Sequence, residues 1–467
     1  MENKILRVKG SYRDPQNHVY RTQNRVFRGL KRDDAQFIKT FLTSDFFKQK
    51  KDFEIVDSWV INKKELETLG LEPHIIDTYD LWLEHKRLEF ITYPYEWSFK
   101  QFRKAAIFHL NLQLDALEAG FQLKDASAFN VQFIGNEPIF IDLPSFKHYE
   151  EGQPWVAYKQ FCEMFLAPLL INSYVGIDAQ RWFKSDLNGI NISDCSRILP
   201  WKTFFNLGVL GHIHMQARAA TKITSASKSL SSKKVTIKKA HLVSLLHSMV
   251  NLLNSFKTNS TSYWQEYENN TSYSDGLAKE KVIIIQNFAK NATGHRILDI
   301  GCNAGQFSEI LLNCGVKEVI GIDIDGGALD KAIQRPSLKG KNFSALLYDF
   351  TNPSPALGWQ LEERETLFKR LPPCDGLVCL ALVHHLVIGK NIPIESFIEM
   401  MVSLAPVGIV EFPTKEDPMV KGLLKHRDDI FGSYTSNNFE KNLSKLCKVT
   451  RLQSKNKTRH FFHFERI

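Results

Sequence analysis

The chain has few cysteines, no long apolar run and no apolar leader, and each absence excludes something. Its seven cysteines among 467 residues are scattered, with no C-x-x-C pair and no Cys/His spacing of a zinc site. An odd, dispersed set suits a reducing compartment, where a free thiol behaves as a small hydrophobe. No stretch of about 18 uncharged apolar residues occurs, which argues against a membrane span. The opening MENKILRVKGSYRD lacks the apolar core of a signal peptide. The expected location is the cytoplasm, and no metal site is expected outside the one conditional case below.

What is present points to more than one folding unit. At this length a single ordinary core is exceeded, so two domains and a linker are expected. The net charge of +9 is compatible with an anionic partner or with a solvated, lysine-rich surface. Much of the excess sits in Arg218–Lys239, which has seven basic residues, no acid and many Ser and Thr. That composition reads as a flexible linker, with RNA, an acidic partner or anionic lipid as alternative contacts. His241–Phe256 reads as an amphipathic helix opening the next unit. The expected division is 1–215 for an N-terminal α+β domain, 216–260 for linker and helix, and 261–467 for a C-terminal α/β domain.

The C-terminal domain is organised around RILDIGCNAGQFS (296–308). An apolar strand ends on Asp299 and Ile300, Gly301 and Gly305 make a turn, and a helical pattern starts at Gln306. Strand, glycine turn and helix present bare backbone to a nucleotide-like ligand. Further strands read at Glu318–Asp323, Asn342–Phe350, Cys374–Leu382 and Val407–Phe412, with a closing pair at Val449–Leu452 and His460–Glu465. The loop departs from the dinucleotide fingerprint G-x-G-x-x-G. It resembles instead motif I, D/E-x-G-x-x-x-G, of class I S-adenosylmethionine (SAM) methyltransferases.

That resemblance implies a Rossmann-like seven-stranded sheet whose last strand inserts antiparallel. It implies that Asp299, Gly301, Cys302, Asn303 and Gly305 line the methionine part of SAM. Asp323 would hold the ribose and Asp349 would meet the adenine, with Ala381 beside the cofactor after the fourth strand. His384 and His385 lie where such enzymes place acceptor-side residues, and His384 is the candidate general base because imidazole titrates near neutrality. Packing or capping would explain both histidines equally well. Glu411, ending the fifth strand, is a further catalytic candidate. Lys415, Asp417 and Arg427 are exposed candidates beyond it, and Trp264, Tyr267 and Tyr273 are candidate lid residues.

In the N-terminal half, a hairpin is expected within Ser11–Leu30 about Gln23-Asn24, then a helix over Lys31–Lys50 and a strand at Leu88–Ile91. A long helix follows TYPYEWSF, with Phe102, Ala106, Leu110, Leu114 and Leu117 at helical spacing and Gly120 beyond its end. Trp182, Trp201 and Phe204–Phe205 read as part of a buried, helix-rich end. Between these lies LKDASAFNVQFIGNEPIFIDLPSF (123–146). Asp125, Asn130 five residues later, a short hairpin and then Asp142 resemble the catalytic and metal-binding residues of protein kinases. The resemblance implies that Asn130 and Asp142 could hold Mg²⁺ on ATP while Asp125 orients a hydroxyl. Parts are missing: a glycine-rich loop, a clear V-A-I-K strand and the usual glycine, replaced by Pro144. Arg28 or Lys31 could stand for the phosphate-pairing lysine. Turn-capping by Asp125, Asn130 and Asp142 is the plain alternative.

TYPYEWSF, LKDASAFNVQF, IFIDLPSF, PWVAYKQFC, LDIGCNAGQFS and VEFPTKEDPMV together resemble the bacterial family related to nodulation protein NoeA, over most of the chain. The resemblance implies a SAM-dependent methyltransferase acting on an O or N acceptor, with a carbohydrate or other small hydroxylated molecule as the acceptor. A bifunctional protein with a kinase-like, ATP-binding N-terminal domain is the first rival. An RNA methyltransferase gripping nucleic acid through the basic stretch is the second, and a non-enzymatic scaffold that keeps SAM as a ligand is the third.

Overall fold

The computed structural model describes residues 4–219, 236–258, 275–292, 294–425 and 427–467. Two units emerge, one of residues 1–95, 99–260 and 354–370, the other of 96–98, 261–353 and 371–467. Residues 220–235 of the basic stretch and the candidate lid residues Trp264, Tyr267 and Tyr273 lie outside the described residues.

The first unit begins with an antiparallel sheet of β1 (Leu6–Arg7), β2 (Asn17–Arg21), β3 (Val26–Leu30), β4 (Ser58–Val60) and β5 (Leu81–His85), in the order β1-β2-β3-β5-β4. β2 and β3 form the expected hairpin, closed by Thr22 N–H on Arg25 O at 3.0 Å. Side chains alternate across a strand. Tyr20, Phe27 and Trp82 therefore share one face with Tyr79 and Ile61 in a buried cluster. The opposite face presents Arg28 and His85.

The strand expected at Leu88–Ile91 is instead β5, a few residues earlier. All five of its residues are buried, so it lacks the alternation by which a half-buried strand is recognised. The expected Lys31–Lys50 helix breaks at Ser44, whose hydroxyl donates to Phe41 O and accepts from Phe47 N–H, capping a second helix, Asp45–Lys50.

The Phe99–Glu118 helix is the spine of the rest of this unit. After it come β6 (Phe121–Leu123), β7 (Val131–Ile134), β8 (Glu137–Phe140) and β9 (Phe146–His148), paired as β6–β9 and β7–β8. The Lys239–Ser255 helix packs on this spine, with Arg103 Nη1 donating to Phe256 O at 2.6 Å. It does not open the next unit. Its Leu242, Leu246, Met249 and Leu253 stripe is buried against the first unit. The aromatic end is also corrected: Trp201, Phe204 and Phe205 are exposed rather than buried, and Trp182 is only partly covered.

The second unit is a seven-stranded sheet of β10 (Arg296–Ile300), β11 (Glu318–Asp323), β12 (Phe343–Leu347), β13 (Gly376–Cys379), β14 (Val407–Pro413), β15 (Cys447–Leu452) and β16 (Arg459–Arg466). The order is β12-β11-β10-β13-β14-β16-β15. The first five run parallel, and β16 is antiparallel to both its neighbours. The parallel strands are apolar on both faces because helices cover both. Ile297, Val319, Phe343, Val378, Ile409 and Phe461 lie in the core cluster with Ile285 and Leu311 from helices. This is the α/β, Rossmann-like arrangement in which the loops after β10, β11 and β13 meet at one end of the sheet.

Candidate active site

The loop from β10 into the Gln306–Asn313 helix is shaped by two glycines with positive φ. Gly301 has φ +77°, and an added Cβ would find nothing of the protein nearer than 3.7 Å. Its requirement is conformational, since a Cβ would make only ordinary contacts with Leu380 and Leu382. Gly305 has φ +75°, and a Cβ there would come within 3.1 Å of Ala332 and 3.2 Å of Leu338. Packing of loop on helix demands that glycine.

The loop is fastened to the neighbouring strand. Gly301 N–H and Cys302 N–H donate to Ile322 O at 2.8 and 3.1 Å. Asn303, at φ +49°, donates its N–H to Asp323 Oδ2 at 2.8 Å, while Asp325 N–H reaches Oδ1 at 2.9 Å. Cys302 is buried, with its thiol pushed up by burial and the nearby carboxylates.

Two buried carboxylates dominate the electrostatics. Asp299 accepts from Ser308 Oγ at 2.6 Å, yet burial pushes its pKa up to about 7, with Asp323 adding to the rise. Asp323 is pushed up to about 6, chiefly by burial and against the pull of its backbone donors. A pair of desolvated carboxylates beside the glycine loop favours a cationic ligand. SAM, with a sulfonium and an ammonium group, fits that charge. Asp349 lies just past β12 and accepts from Thr351 N–H and Oγ1 at 2.8 and 2.7 Å.

After β13 the chain turns at Ala381, a non-glycine residue with φ +51°, and enters the short Val383–Val387 helix. Positive φ in a residue with a Cβ is strained, and such strain gathers at functional turns. His384 is fully buried and neither ring nitrogen has a hydrogen-bond partner. Its ring centroid lies 4.1 Å from that of His385. Burial holds His384 well below the usual histidine range, helped by His385, Arg459 and Lys281. Burial and then Arg459 lower His385 to about 4. Both imidazoles are neutral near pH 7.

Glu411 on β14 belongs to a buried ion network that the sequence did not reveal. Its carboxylate meets Lys281 Nζ at 2.8 Å and Arg459 Nη1 at 3.0 Å. Arg459 also holds Asp417 through Nε at 2.7 Å and Nη2 at 3.1 Å. Asp417 caps the Pro418–Leu424 helix through Met419 N–H. Asp417 was expected at the surface and is 2% exposed, because its carboxylate is needed inside against Arg459. Lys415 pairs with Asp429, and Arg427 donates to Ile388 O and Asn391. The missed residues Lys281 and Arg459 stand among other charged residues, Lys279 and Glu280 for one and Lys455 and Lys457 for the other, so no local signal set them apart.

The first unit brings its three predicted residues together. Asn130 Nδ2 donates to Asp125 Oδ2 at 3.1 Å, and Ser145 Oγ links Asn130 at 3.3 Å to Asp142. Of the two candidate cations, Arg28 reaches Asp142 at 2.8 Å, whereas Lys31 lies over the Tyr79 ring. Burial, and next Asp142, raise the pKa of Asp125, which also receives Gln160 Nε2 at 2.6 Å. Buried His85 lies beside this group through Arg28: Nδ1 bonds Ser58 Oγ at 2.7 Å, Nε2 is without a hydrogen-bond partner, and burial with Arg28 lowers it to about 3. Gln160 and His85 carried no sequence signal. No cluster of three or more His, Cys, Asp or Glu able to hold a metal occurs among the described residues.

Comparison with known proteins agrees with this geometry for the second unit. The FtsJ-like methyltransferase family matches residues 279–376. Nodulation protein NoeA of Rhizobium meliloti (strain 1021) is 36% identical over 447 residues, covering 95% of this chain and 92% of its own. Among solved structures, the N-methyltransferase NodS of Bradyrhizobium japonicum WM9 with S-adenosyl-L-homocysteine is 14% identical, covering 44% of this chain and 99% of its own, with a TM-score of 0.32. Magnesium protoporphyrin IX methyltransferase of Synechocystis PCC 6803 with bound SAM is 17% identical, covering 41% and 80%, with a TM-score of 0.29. The chain belongs to the nodulation protein NoeA family and is a SAM-dependent methyltransferase.

Proposed function

We propose that the acceptor is a small hydroxylated molecule, a carbohydrate in the leading case, and that its methyl is taken up on oxygen. The observation that carries this reading is His384: a buried, neutral imidazole with both nitrogens unpartnered, one turn beyond β13. Such a group can accept a hydrogen bond from a hydroxyl and take its proton as the oxygen becomes a nucleophile.

Bound SAM would supply an electrophilic methyl group and leave as a neutral thioether. The chain's own residues do the rest. Asp299, Gly301, Cys302, Asn303 and Gly305 form the methionine side, Asp323 accepts ribose hydroxyls, Asp349 faces the adenine, and Ala381 turns the chain beside it. Glu411, clamped by Lys281 and Arg459, fixes the end of β14 and keeps cations near the histidines. Burial and these cations lower both imidazoles, so the near-neutral titration expected of His384 from the sequence is not met and each is a weak base at pH 7. His385 packs on His384 and orients it. Placement against the acceptor supplies much of the rate.

The test is transfer of labelled methyl from SAM to panels of oligosaccharides, amines and RNA, with His384→Ala alongside wild type. Labelled carbohydrate, with transfer down at least a hundredfold in the variant and SAM affinity kept, supports the reading. Labelled RNA or amines alone would replace the acceptor class.

A second reading concerns the first unit and is favoured by one observation, the meeting of Asp125, Asn130, Asp142 and Arg28 in one partly buried group. There Asn130 and Asp142 would hold Mg²⁺ on ATP phosphates and Asp125 would orient a hydroxyl. Arg28 already neutralises Asp142, so a divalent ion would have to displace it. Calorimetric titration with Mg·ATP decides the matter: heat lost in Asp142→Asn supports the reading, and no heat in wild type removes it. The domain division and cytoplasmic location stand as part of the same proposal. No described helix is long and apolar enough to cross a membrane.

A further inference from the structure

The exposed aromatic end of the first unit is a built surface rather than a loose loop. Trp201, Phe205 and Leu207 are 75%, 77% and 83% exposed. The Trp201 and Phe205 rings stand 5.7 Å apart. The Trp201–Phe205 turn is anchored from beneath at His214, a buried residue. Thr203 Oγ1 bonds His214 Nε2 at 2.8 Å, Ser196 Oγ bonds Nδ1 at 2.8 Å, and the Phe204 ring stacks on the imidazole at 3.8 Å. Met215, also exposed, follows His214 in the same helical run. Holding bulky apolar side chains rigidly in water has no folding advantage, since these groups gain burial only against something outside the chain.

The charge around this turn is mostly positive, with Asp194 beside Arg197 at 3.4 Å as the nearby acid. Lys202 lies within it, Arg197 is exposed just before it, and Arg218 lies over the Phe204 ring at 5.6 Å. From Cys195 to Gln265 there are ten Lys and Arg and no Asp or Glu, so this run carries the whole of the chain's net +9.

We propose that the Trp201–Leu207 turn docks the protein on an anionic lipid bilayer surface without crossing it. Trp and Phe suit the headgroup boundary, where one end of the ring is apolar and the other wet, and Leu207 and Met215 gain from shallow insertion. Lys202 and Arg218 face anionic headgroups, each adding attraction that salt screens, whereas Arg197 is shared with Asp194. A nucleic acid would use the cations and could stack on the rings, but it offers nothing to Leu207 and Met215. Lipid uses all of them.

The full chain is tested by sedimentation with vesicles of phosphatidylcholine alone and of phosphatidylcholine with a third phosphatidylglycerol. The wild type is expected to sediment only with the anionic vesicles and to be released as salt rises. The triple variant Trp201→Ser, Phe205→Ser, Leu207→Ser is expected to bind at least tenfold more weakly, with an unchanged far-ultraviolet circular dichroism spectrum and unchanged melting transitions as evidence of folding. As a second readout, anionic vesicles should shift tryptophan emission to the blue in wild type and much less in Trp201→Phe. Absence of sedimentation with anionic vesicles overturns the proposal. So does equal binding by the triple variant, RNA binding in place of vesicle binding, or a dimer that the triple variant dissociates while vesicles bind neither protein.

Discussion

Replacing Arg459 by methionine should unfold the methyltransferase unit at a markedly lower temperature. The guanidinium is nearly fully buried and serves two carboxylates at once, Glu411 at 3.0 Å and Asp417 at 2.7 and 3.1 Å. Methionine fills similar space but leaves Asp417 with only its helix-capping donor, and Glu411 with Lys281 alone. Breaking a buried pair costs about 3–5 kcal/mol, because a charge is left unpaired where water cannot reach it. For a unit of this size each kcal/mol lowers Tm by roughly 2–4 °C, so a fall of about 10 °C is expected. The chain has two units and need not melt in one step, so the assay is differential scanning calorimetry with SAM added to identify the methyltransferase transition. The pH sign is fixed by Glu411, whose pKa is lowered by Lys281 and Arg459 against the effect of burial. Its contribution is present above the unfolded value and is lost as pH falls through the folded value, so the gap between variant and wild type narrows in acid. A variant melting within about 1 °C of wild type at pH 7 would refute the assignment of this network as a buried structural clamp.

Asp323→Ala is expected to weaken SAM binding at least tenfold while leaving the circular dichroism spectrum unchanged, and unchanged affinity by calorimetry would sink the ribose assignment. Asp299 and Asp323 have raised pKa values, about 7 and about 6. Their stabilising contribution is therefore present below the unfolded values and lost as pH rises through 6 to 7. Cationic SAM should offset this, so its thermal shift in fluorimetry should be larger at pH 8 than at pH 5.5; equal shifts would contradict the carboxylate role. Ala381→Gly should relieve positive-φ strain and stabilise by about 1 kcal/mol in urea unfolding, and Ala381→Val should do the reverse.

Much of the second unit was legible because its chemistry is local. The five parallel strands are short apolar runs between glycine or polar turns, and Asp299, Gly301, Gly305 and Asp323 sit where strand ends meet loops. The expected third and fourth strands were too long, since apolar residues such as Leu380 and Leu382 continue into the loop that carries Ala381. The ion network was illegible because Lys281, Glu411 and Arg459 are far apart in sequence, and nothing local separates buried Lys281 from exposed Lys279 two residues before it. Trp201 and Phe205 misled for the opposite reason. An aromatic run in a helix-rich segment reads as core, and only the packing of Thr203 and Phe204 on His214 turns its neighbours outward. The trio of Asp125, Asn130 and Asp142 was legible from spacing, whereas Gln160 reaches it and His85 lies beside it only through tertiary packing.

The most direct measurement of the central claim is calorimetric titration of the full chain with SAM, for wild type and for Gly305→Val. The added side chain would strike Ala332 and Leu338 and would need a positive φ that valine resists. One SAM bound per chain, lost in a Gly305→Val protein that still shows a folded far-ultraviolet spectrum, is the predicted result. SAM binding of equal strength in both would put the cofactor somewhere other than the β10 loop and contradict the account.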